Sequence, residues 1–186
     1  MKKNLIFIGM PAVGKSTVGI VVAKRLGMRF IDTDLLIQEQ EGKLLREIIA
    51  EKGEEGFLEI ENRVNASVKA KNAVISPGGS VIYCKEAMKH YKKIGTVVYL
   101  KASYQTIKRR IKNPKKRGVV LKEGQSLRDL YYERVPYFEK YADITVCEDG
   151  CRIEDTIKNV LNAVKKYRKT TEFRKNLDNV PERKLK

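Results

Sequence analysis

Residues 9–16 read GMPAVGKS and are followed by Thr17. They lie between an apolar run at residues 5–8 and an amphipathic stretch with helical spacing. A strand, a glycine-rich loop and a helix in this order are typical of a phosphate-binding loop, since glycines let backbone N–H groups approach a polyphosphate. The lysine of such a loop reaches the outer phosphates, and the hydroxyl that follows it binds Mg²⁺. The stretch therefore predicts a nucleoside triphosphate site formed by Gly9, Ala12, Val13, Gly14, Lys15, Ser16 and Thr17, with Ser16 as a metal ligand.

The rest of the chain alternates apolar runs with amphipathic segments. We predict strands at residues 4–8, 29–32, 73–76, 96–101 and 144–147, and helices at 15–26, 34–41, 43–52, 54–71, 85–92, 104–112, 127–141 and 153–167. Successive strand and helix units build a parallel sheet that is covered on both faces. We therefore expect the α/β class, in the form of a three-layer α/β/α sandwich with a five-stranded parallel sheet. Ligands of such sheets bind at the carboxyl ends of the strands.

The length of 186 residues suits one globular domain, which we place at residues 1–167. Residues 168–186 are strongly charged, lack apolar periodicity and contain Pro181, so we expect a basic C-terminal extension that is frayed or only partly helical. The apolar run near the N-terminus is too short for a signal peptide or a membrane span. The three cysteines are too few for a disulfide framework and favour a reducing compartment, the cytoplasm.

The formal net charge of +16 raises the question of a nucleic-acid partner. The basic residues are concentrated in three separate stretches, residues 85–93, 109–122 and 165–186, rather than in one stripe interleaved with aromatic residues. This distribution favours a solvated basic surface over a nucleic-acid interface.

Two carboxylates, Asp32 and Asp34, end the second predicted strand. Alternate side chains of a strand share a face, so we expect both to point into the cleft above the phosphate-binding loop. Repulsion between them is offset if Asp32 lies beside Mg²⁺ and Asp34 acts as the base that receives a hydrogen bond from a substrate hydroxyl. The alternative is that this segment only caps the following helix, because aspartate is a preferred N-cap residue.

With these motifs in hand, the chain resembles the shikimate kinase family, small relatives of the nucleoside monophosphate kinases, over about residues 2–167. The phosphate-binding loop and the DTD sequence at residues 32–34 match the first two signatures of that family. Residues 57–61 (FLEIE) and 76–80 (SPGGS) occupy the places of the third and fourth signatures. Further matches are Arg110, the lid residue Arg117 and the segment that begins at Arg134 and continues with Pro136 and Tyr137.

The resemblance implies a P-loop kinase fold with a lid at about residues 113–124. It implies ATP and Mg²⁺ as cofactors, with Arg110 stacking on adenine and Arg117 reaching the γ-phosphate. The implied catalytic residues are Lys15, Asp34 and Arg117, and the metal ligands are Ser16 and Asp32. Substrate binding would fall to Asp34, position 58, Gly78, Gly79, Ser80 and Arg134. Residues 112–122 could instead form a charged surface loop, Arg110 a solvated helix residue, and Arg134 a structural ion pair with Glu133 or Asp129.

Three positions depart from the family pattern, and all concern the acceptor side or the lid. Leu58 replaces an arginine that would bind a carboxylate, Ser80 replaces a third glycine, and Val119 replaces a lid proline. The implied reaction is transfer of the γ-phosphoryl group of ATP to a hydroxyl of a small anionic metabolite, with shikimate as acceptor and shikimate 3-phosphate as product. Two alternatives remain: a kinase of this fold retuned to another hydroxylated metabolite, and a non-catalytic nucleotide- or RNA-binding protein. We expect a monomer without membrane association.

Overall fold

The structure is a computed structural model that describes residues 4–111, 119, 121–122 and 124–178, with side chains as far as Glu172. Within these ranges the chain forms a five-stranded sheet in which every strand pairs in parallel with its neighbours. The strands are β1 (Asn4–Ile8), β2 (Arg29–Asp32), β3 (Ala73–Ser76), β4 (Gly95–Lys101) and β5 (Ile144–Cys147). Their spatial order is β2-β3-β1-β4-β5, so the strand that precedes the phosphate-binding loop lies at the centre.

Seven α-helices connect and cover the strands within the described residues. They are α1 (Lys15–Leu26), α2 (Thr33–Glu41), α3 (Leu45–Ser67), α4 (Lys85–Ile94), α5 (Tyr104–Arg110), α6 (Leu127–Tyr141) and α7 (Ile153–Asp178), with a short 3₁₀ helix at Val81–Tyr83. Helix α1 packs against α7, whereas α3 packs against α2 and α4. The predicted α/β sandwich with a five-stranded parallel sheet is confirmed.

The apolar runs form these strands because both faces of the sheet are covered. All residues of β1 and β3 are buried, as expected for strands of a parallel sheet with helices on either side. The edge strand β5 instead alternates buried and exposed residues. Because all five strands are parallel, their carboxyl ends lie at the same edge of this buried sheet.

Helix α2 begins one residue earlier than predicted, α4 ends two residues later and α5 ends two residues earlier, but α3 and α7 differ most from the sequence prediction. The predicted helices at 43–52 and 54–71 form the single segment α3, but Gly53 inside it has φ 70° and ψ −174°, so the chain does bend where the two were separated. Helix α7 continues from Ile153 to Asp178, so the predicted C-terminal extension begins inside a helix. Residues 179–186 lie outside the described part of the chain. No helix among the described residues combines the length and apolar composition that crossing a membrane requires.

Candidate active site

The phosphate-binding loop joins β1 to α1 and requires glycine at two positions. Gly9 has φ +148°, and a Cβ there would lie 2.6 Å from the backbone oxygen of Leu100 on β4. Gly14 has φ +109° and is the N-cap of α1. Residues with a side chain rarely adopt these backbone conformations, so the loop can take this shape only with glycine at both positions. The N-terminus of α1 thereby faces the loop and favours an anion there.

Lys15 is held within the loop that it follows. Its Nζ atom donates to the backbone oxygens of Gly9 at 3.0 Å and Met10 at 3.2 Å. Burial lowers the pKa of Lys15 to about 8, although the negative charge of Asp34 opposes this shift. Lys15 is therefore mainly a cation at neutral pH, as binding of outer phosphates requires.

Ser16 and Asp32 bring two oxygen ligands together beside the loop. Ser16 Oγ donates to Asp32 Oδ2 at 2.8 Å and lies 3.3 Å from Ser76 Oγ at the end of β3. Hydroxyl and carboxylate oxygens are the ligands that Mg²⁺ prefers, and in phosphate sites it takes the remaining ligands from phosphates and water. The described residues contain no group of three or more His, Cys, Asp or Glu side chains that could hold a metal ion by themselves. The donor set thus fits a Mg²⁺ ion bound together with a polyphosphate.

Asp32 also caps a helix, which the sequence offered as an alternative. Its Oδ1 accepts a hydrogen bond from the backbone nitrogen of Asp34 at 3.0 Å, at the start of α2. Asp34 belongs to the first turn of that helix and not to a strand. Asp32 and Asp34 therefore do not share a strand face as predicted, because the chain turns into α2 immediately after Asp32. Asp34 still reaches the site, since it lines the cavity above the loop.

A cavity of about 500 Å³ extends from the phosphate-binding loop toward α3. Its walls include Pro11, Lys15, Asp34, Phe57, Glu61 and the segment 78–80. A Cβ at Gly78 would collide with Glu61 Oε1 and lie 3.0 Å from Asp34 Oδ1, and one at Gly79 would lie 2.9 Å from Pro11 Cδ. The two glycines therefore let the backbone pass closely between the loop and the acidic side chains.

Two buried carboxyls face this cavity. Burial and the nearby charge of Asp32 raise the pKa of Asp34 to about 6. Burial raises the pKa of Glu61 to about 7, and Asp34 adds to this effect. Among the described residues, neither Asp34 Oδ1 nor Glu61 Oε1 has a hydrogen-bond partner. Both atoms are therefore buried and unpartnered, although the residues that carry them line the cavity.

Arg134 approaches the same region from α6 and is 2% exposed. A Cβ at Gly79 would lie 3.1 Å from its Nη1 atom, and its Cζ atom lies 5.4 Å from the centre of the Tyr83 ring. Glu133 accepts from Tyr83 and Gln125, and Asp129 accepts from Ser126. The ion pair between Arg134 and these acids, left open by the sequence, is not found among the described residues. Arg134 is therefore a buried cation behind the Gly79 backbone, and it does not itself line the cavity.

Within the described residues, Leu58 does not line the cavity between the phosphate-binding loop and α3 (the main cavity). It is half-buried on α3 and borders a smaller cavity with Tyr83, Cys84 and Lys85. Its backbone oxygen lies 3.6 Å from the Cys84 sulfur. Ser80 is 6% exposed and does line the main cavity. Of the two acceptor-side residues that depart from the family pattern, Ser80 therefore bounds the main cavity and Leu58 does not.

Arg110, on α5, contacts both the phosphate-binding loop and the residue that follows β5. Its Nη1 atom donates to the Val13 oxygen at 2.9 Å and to Glu148 Oε2 at 2.8 Å. The alternative of a solvated side chain is therefore wrong. A second cavity of about 190 Å³ lies here, lined by residues that include Ala12, Thr17, Arg110 and Glu148. Arg117 and most of the predicted lid lie outside the described residues.

Glu61 and Glu148 were missing from the site predicted by sequence reasoning. Glu61 was visible only as the glutamate of the FLEIE stretch, with no indication of burial. Glu148 follows β5 directly, and its position at the carboxyl end of a strand was the available signal. It is 3% exposed, and a Cβ at Gly14 would lie 3.6 Å from its Oε1 atom.

A phosphate-binding loop on the central parallel strand, with a hydroxyl–carboxylate pair beside it, defines a P-loop nucleoside triphosphate-binding protein. The family model for shikimate kinase matches residues 11–165. The chain therefore belongs to the shikimate kinase family, as the sequence motifs indicated.

Individual relatives agree with this assignment. Shikimate kinase from Persephonella marina is 32% identical over 164 residues, which cover 88% of this chain and 99% of that protein. Shikimate kinase from Chlorobium chlorochromatii is 34% identical over 179 residues, covering 90% of this chain and 94% of that protein. The structure of shikimate kinase from Acinetobacter baumannii in complex with shikimate superposes with a TM-score of 0.75 at 26% identity, covering 88% of this chain and 93% of that one.

Proposed function

We propose that this protein transfers the γ-phosphoryl group of ATP to a hydroxyl of shikimate, giving shikimate 3-phosphate. The observation that carries the proposal is one cavity that joins the phosphate-binding loop to Asp34 and the 78–80 segment. The family assignment and the similarity to a shikimate-bound kinase structure identify the acceptor. The interpretations as a retuned kinase or a nucleic-acid-binding protein gain no support from the relatives.

On the nucleotide side, the loop glycines and the N-terminus of α1 would bind the phosphates, and Lys15 would neutralise the outer ones. Ser16 and Asp32 would hold Mg²⁺, which supplies positive charge to the β- and γ-phosphate oxygens when bound. Arg110 would bound the nucleotide site through its contact with Val13 O. Arg117 is proposed as the lid cation that reaches the γ-phosphate.

On the acceptor side, Arg134 would bind the carboxylate and Asp34 would orient the reacting hydroxyl. With a pKa of about 6, Asp34 is mainly ionised at neutral pH and can accept the hydroxyl's hydrogen bond. As phosphoryl transfer proceeds, the proton of that hydroxyl would pass to an Asp34 carboxylate oxygen. The backbone at Gly78 and Gly79, together with Ser80, would form the wall on which the acceptor ring lies.

The test is a coupled ADP-release assay with Mg·ATP and shikimate, with the phosphorylated product identified by ³¹P NMR. We expect shikimate-dependent turnover, and a loss of about 100-fold or more in kcat for Asp34→Asn, which keeps the side-chain size but removes the base. Turnover that does not exceed background ATP hydrolysis would refute the proposed acceptor.

We further propose that the protein is a cytoplasmic monomer. Cys84, Cys147 and Cys151 are free thiols, which suits a reducing compartment. Light scattering at micromolar concentration and fractionation of cells would test the two statements separately.

A further inference from the structure

Ser76 ends β3 beside the two residues that would hold Mg²⁺. In the register of the sheet it pairs with Asp32 at the end of β2. Its Oγ atom lies 3.3 Å from Ser16 Oγ, which in turn lies 2.8 Å from Asp32 Oδ2. Oxygen atoms from β3, α1 and β2 therefore lie together at the carboxyl ends of the strands.

The protein satisfies the Ser76 hydroxyl only weakly. Ser16 donates its one hydroxyl hydrogen to Asp32, so the contact between the two serines has to use the hydrogen of Ser76. Their separation of 3.3 Å is long, since hydrogen bonds between oxygen atoms usually measure about 2.5–3.0 Å. Among the described residues, this is the one hydrogen-bond contact of Ser76 Oγ. Ser76 is nevertheless 2% exposed and lines the main cavity, so a ligand in the cavity is the available source of a better partner.

The hydration shell of Mg²⁺ matches what this hydroxyl lacks. Mg²⁺ loses its water reluctantly and keeps several waters when it binds beside phosphates. These waters donate hydrogen bonds, and the groups that accept them around a metal site contribute to its affinity. The lone pairs of Ser76 Oγ are free to accept, because its contact with Ser16 uses only the hydrogen.

We propose that Ser76 is a positioning residue for the metal, whose hydroxyl oxygen accepts a hydrogen bond from a water of the Mg²⁺ hydration shell. The inference rests on the nucleotide and metal side of the proposed function and not on the identity of the acceptor. It extends the metal site from Ser16 and Asp32 to a third element, the strand that leads into the acceptor wall at Gly78. A change at Ser76 should therefore weaken nucleotide binding only when the metal is present.

The experiment measures the affinity for ADP by calorimetry, in saturating Mg²⁺ and again in EDTA, for wild type, Ser76→Ala, Ser76→Thr and Ser67→Ala. Ser67 is an exposed serine at the end of α3, so its substitution controls for the loss of a hydroxyl elsewhere. We expect Ser76→Ala to bind ADP about tenfold more weakly with Mg²⁺ and within about twofold of wild type in EDTA. Ser76→Thr keeps the hydroxyl and should retain most of the Mg²⁺-dependent affinity. An equal loss with and without Mg²⁺, or no loss at all, would overturn the proposal.

A second measurement separates a hydrogen-bonded water from direct ligation of the metal. With Mn²⁺ in place of Mg²⁺, line broadening by ¹⁷O-labelled water in electron paramagnetic resonance spectra reports how many waters the bound ion carries. We expect the same number in wild type and in Ser76→Ala, because the proposed contact lies outside the ligands of the ion. One additional water in Ser76→Ala would show that Ser76 ligates the ion itself and would contradict the proposal. Both measurements use ADP without an acceptor, so an absence of shikimate turnover would refute the proposed acceptor alone.

Discussion

Arg110 bonds the phosphate-binding loop and the end of the edge strand at the same time. Its Nη1 atom donates to Val13 O at 2.9 Å and to Glu148 Oε2 at 2.8 Å. Glu148 is 3% exposed, whereas the Arg110 side chain is 34% exposed, so the buried acid fixes the position of a more exposed cation. The phosphate-binding loop is therefore linked to the end of β5 through Arg110, in addition to its covalent connection to β1.

Replacing Glu148 with glutamine should weaken nucleotide binding more than acceptor binding. The variant keeps the side-chain size but removes the charge that holds Arg110 against the loop. We expect KM for ATP to rise about five- to tenfold, with KM for shikimate changing less than about twofold. Glu139→Gln, which removes the exposed partner of Lys101, is the matched control and should leave both constants unchanged. Equal effects of the two variants would contradict the bracing role.

Substitutions of Asp32 should separate its role toward the metal from its role in capping α2. In Asp32→Asn, the amide would retain a side-chain oxygen for the Asp34 backbone nitrogen but not the carboxylate beside Ser16. We expect this variant to lower kcat by about 100-fold or more while changing the unfolding temperature little. Asp32→Ala should also lose the cap, at about 1 kcal/mol of stability. Kinetics across a Mg²⁺ titration and thermal unfolding of both variants test this, and an asparagine variant with normal Mg²⁺ dependence would contradict it.

Leu58→Arg should change how acceptor binding depends on pH. An arginine at this position lies one helical turn before Glu61 and can pair with it, which would hold the carboxylate ionised. With the pKa of Glu61 lowered, we expect KM for shikimate to stay nearly constant from pH 6 to pH 9. In wild type and in Leu58→Met, which adds no charge, ionisation of Glu61 above its pKa of about 7 should repel an anionic acceptor and raise KM for shikimate as the pH rises. An arginine variant in which KM still rises with pH would show that a cation at position 58 does not lower the pKa of Glu61.

Tyr83 should position Arg134 through its ring rather than through its hydroxyl. The Arg134 guanidinium lies 5.4 Å from the ring centre, while the hydroxyl donates to Glu133. We expect Tyr83→Phe to change KM for shikimate by less than about twofold and Tyr83→Leu to raise it about fivefold, since a cation over an aromatic face is stabilised. Steady-state kinetics of the pair, with circular dichroism to verify folding, provide the measurement. A larger loss in the phenylalanine variant would assign the effect to the hydroxyl.

The sequence predicted the sheet well because burial on both faces leaves continuous apolar runs. Four of the strands begin and end at the predicted residues, and β4 begins one residue earlier, at Gly95. The motif residues around Lys15 could be predicted because the loop is local. The link between Glu148 and Arg110 could not, since it depends on a contact between residues 38 positions apart.

The environment of Glu61 illustrates the same limit. A glutamate on a helix is ordinarily solvated, and nothing in FLEIE states that its last residue is buried. That burial arises only when α2, α4 and the 78–80 segment close around α3. The position of Asp34 was likewise predicted for the wrong reason, because the turn from β2 into α2 at Thr33 is set by the Asp32 cap.

The strand order has a consequence for how the chain acquires its activity as it folds. Strand β1 precedes the other four strands in sequence but lies at the centre of the sheet, and its residues pair as Leu5 with Val74 and Asn4 with Gly95. Pairings between residues so distant in sequence close large loops and form slowly. The phosphate-binding loop can therefore meet Asp32, Ser76 and Glu148 only after nearly the whole sheet has assembled. Recovery of nucleotide binding during refolding should consequently report completion of the core rather than its nucleation.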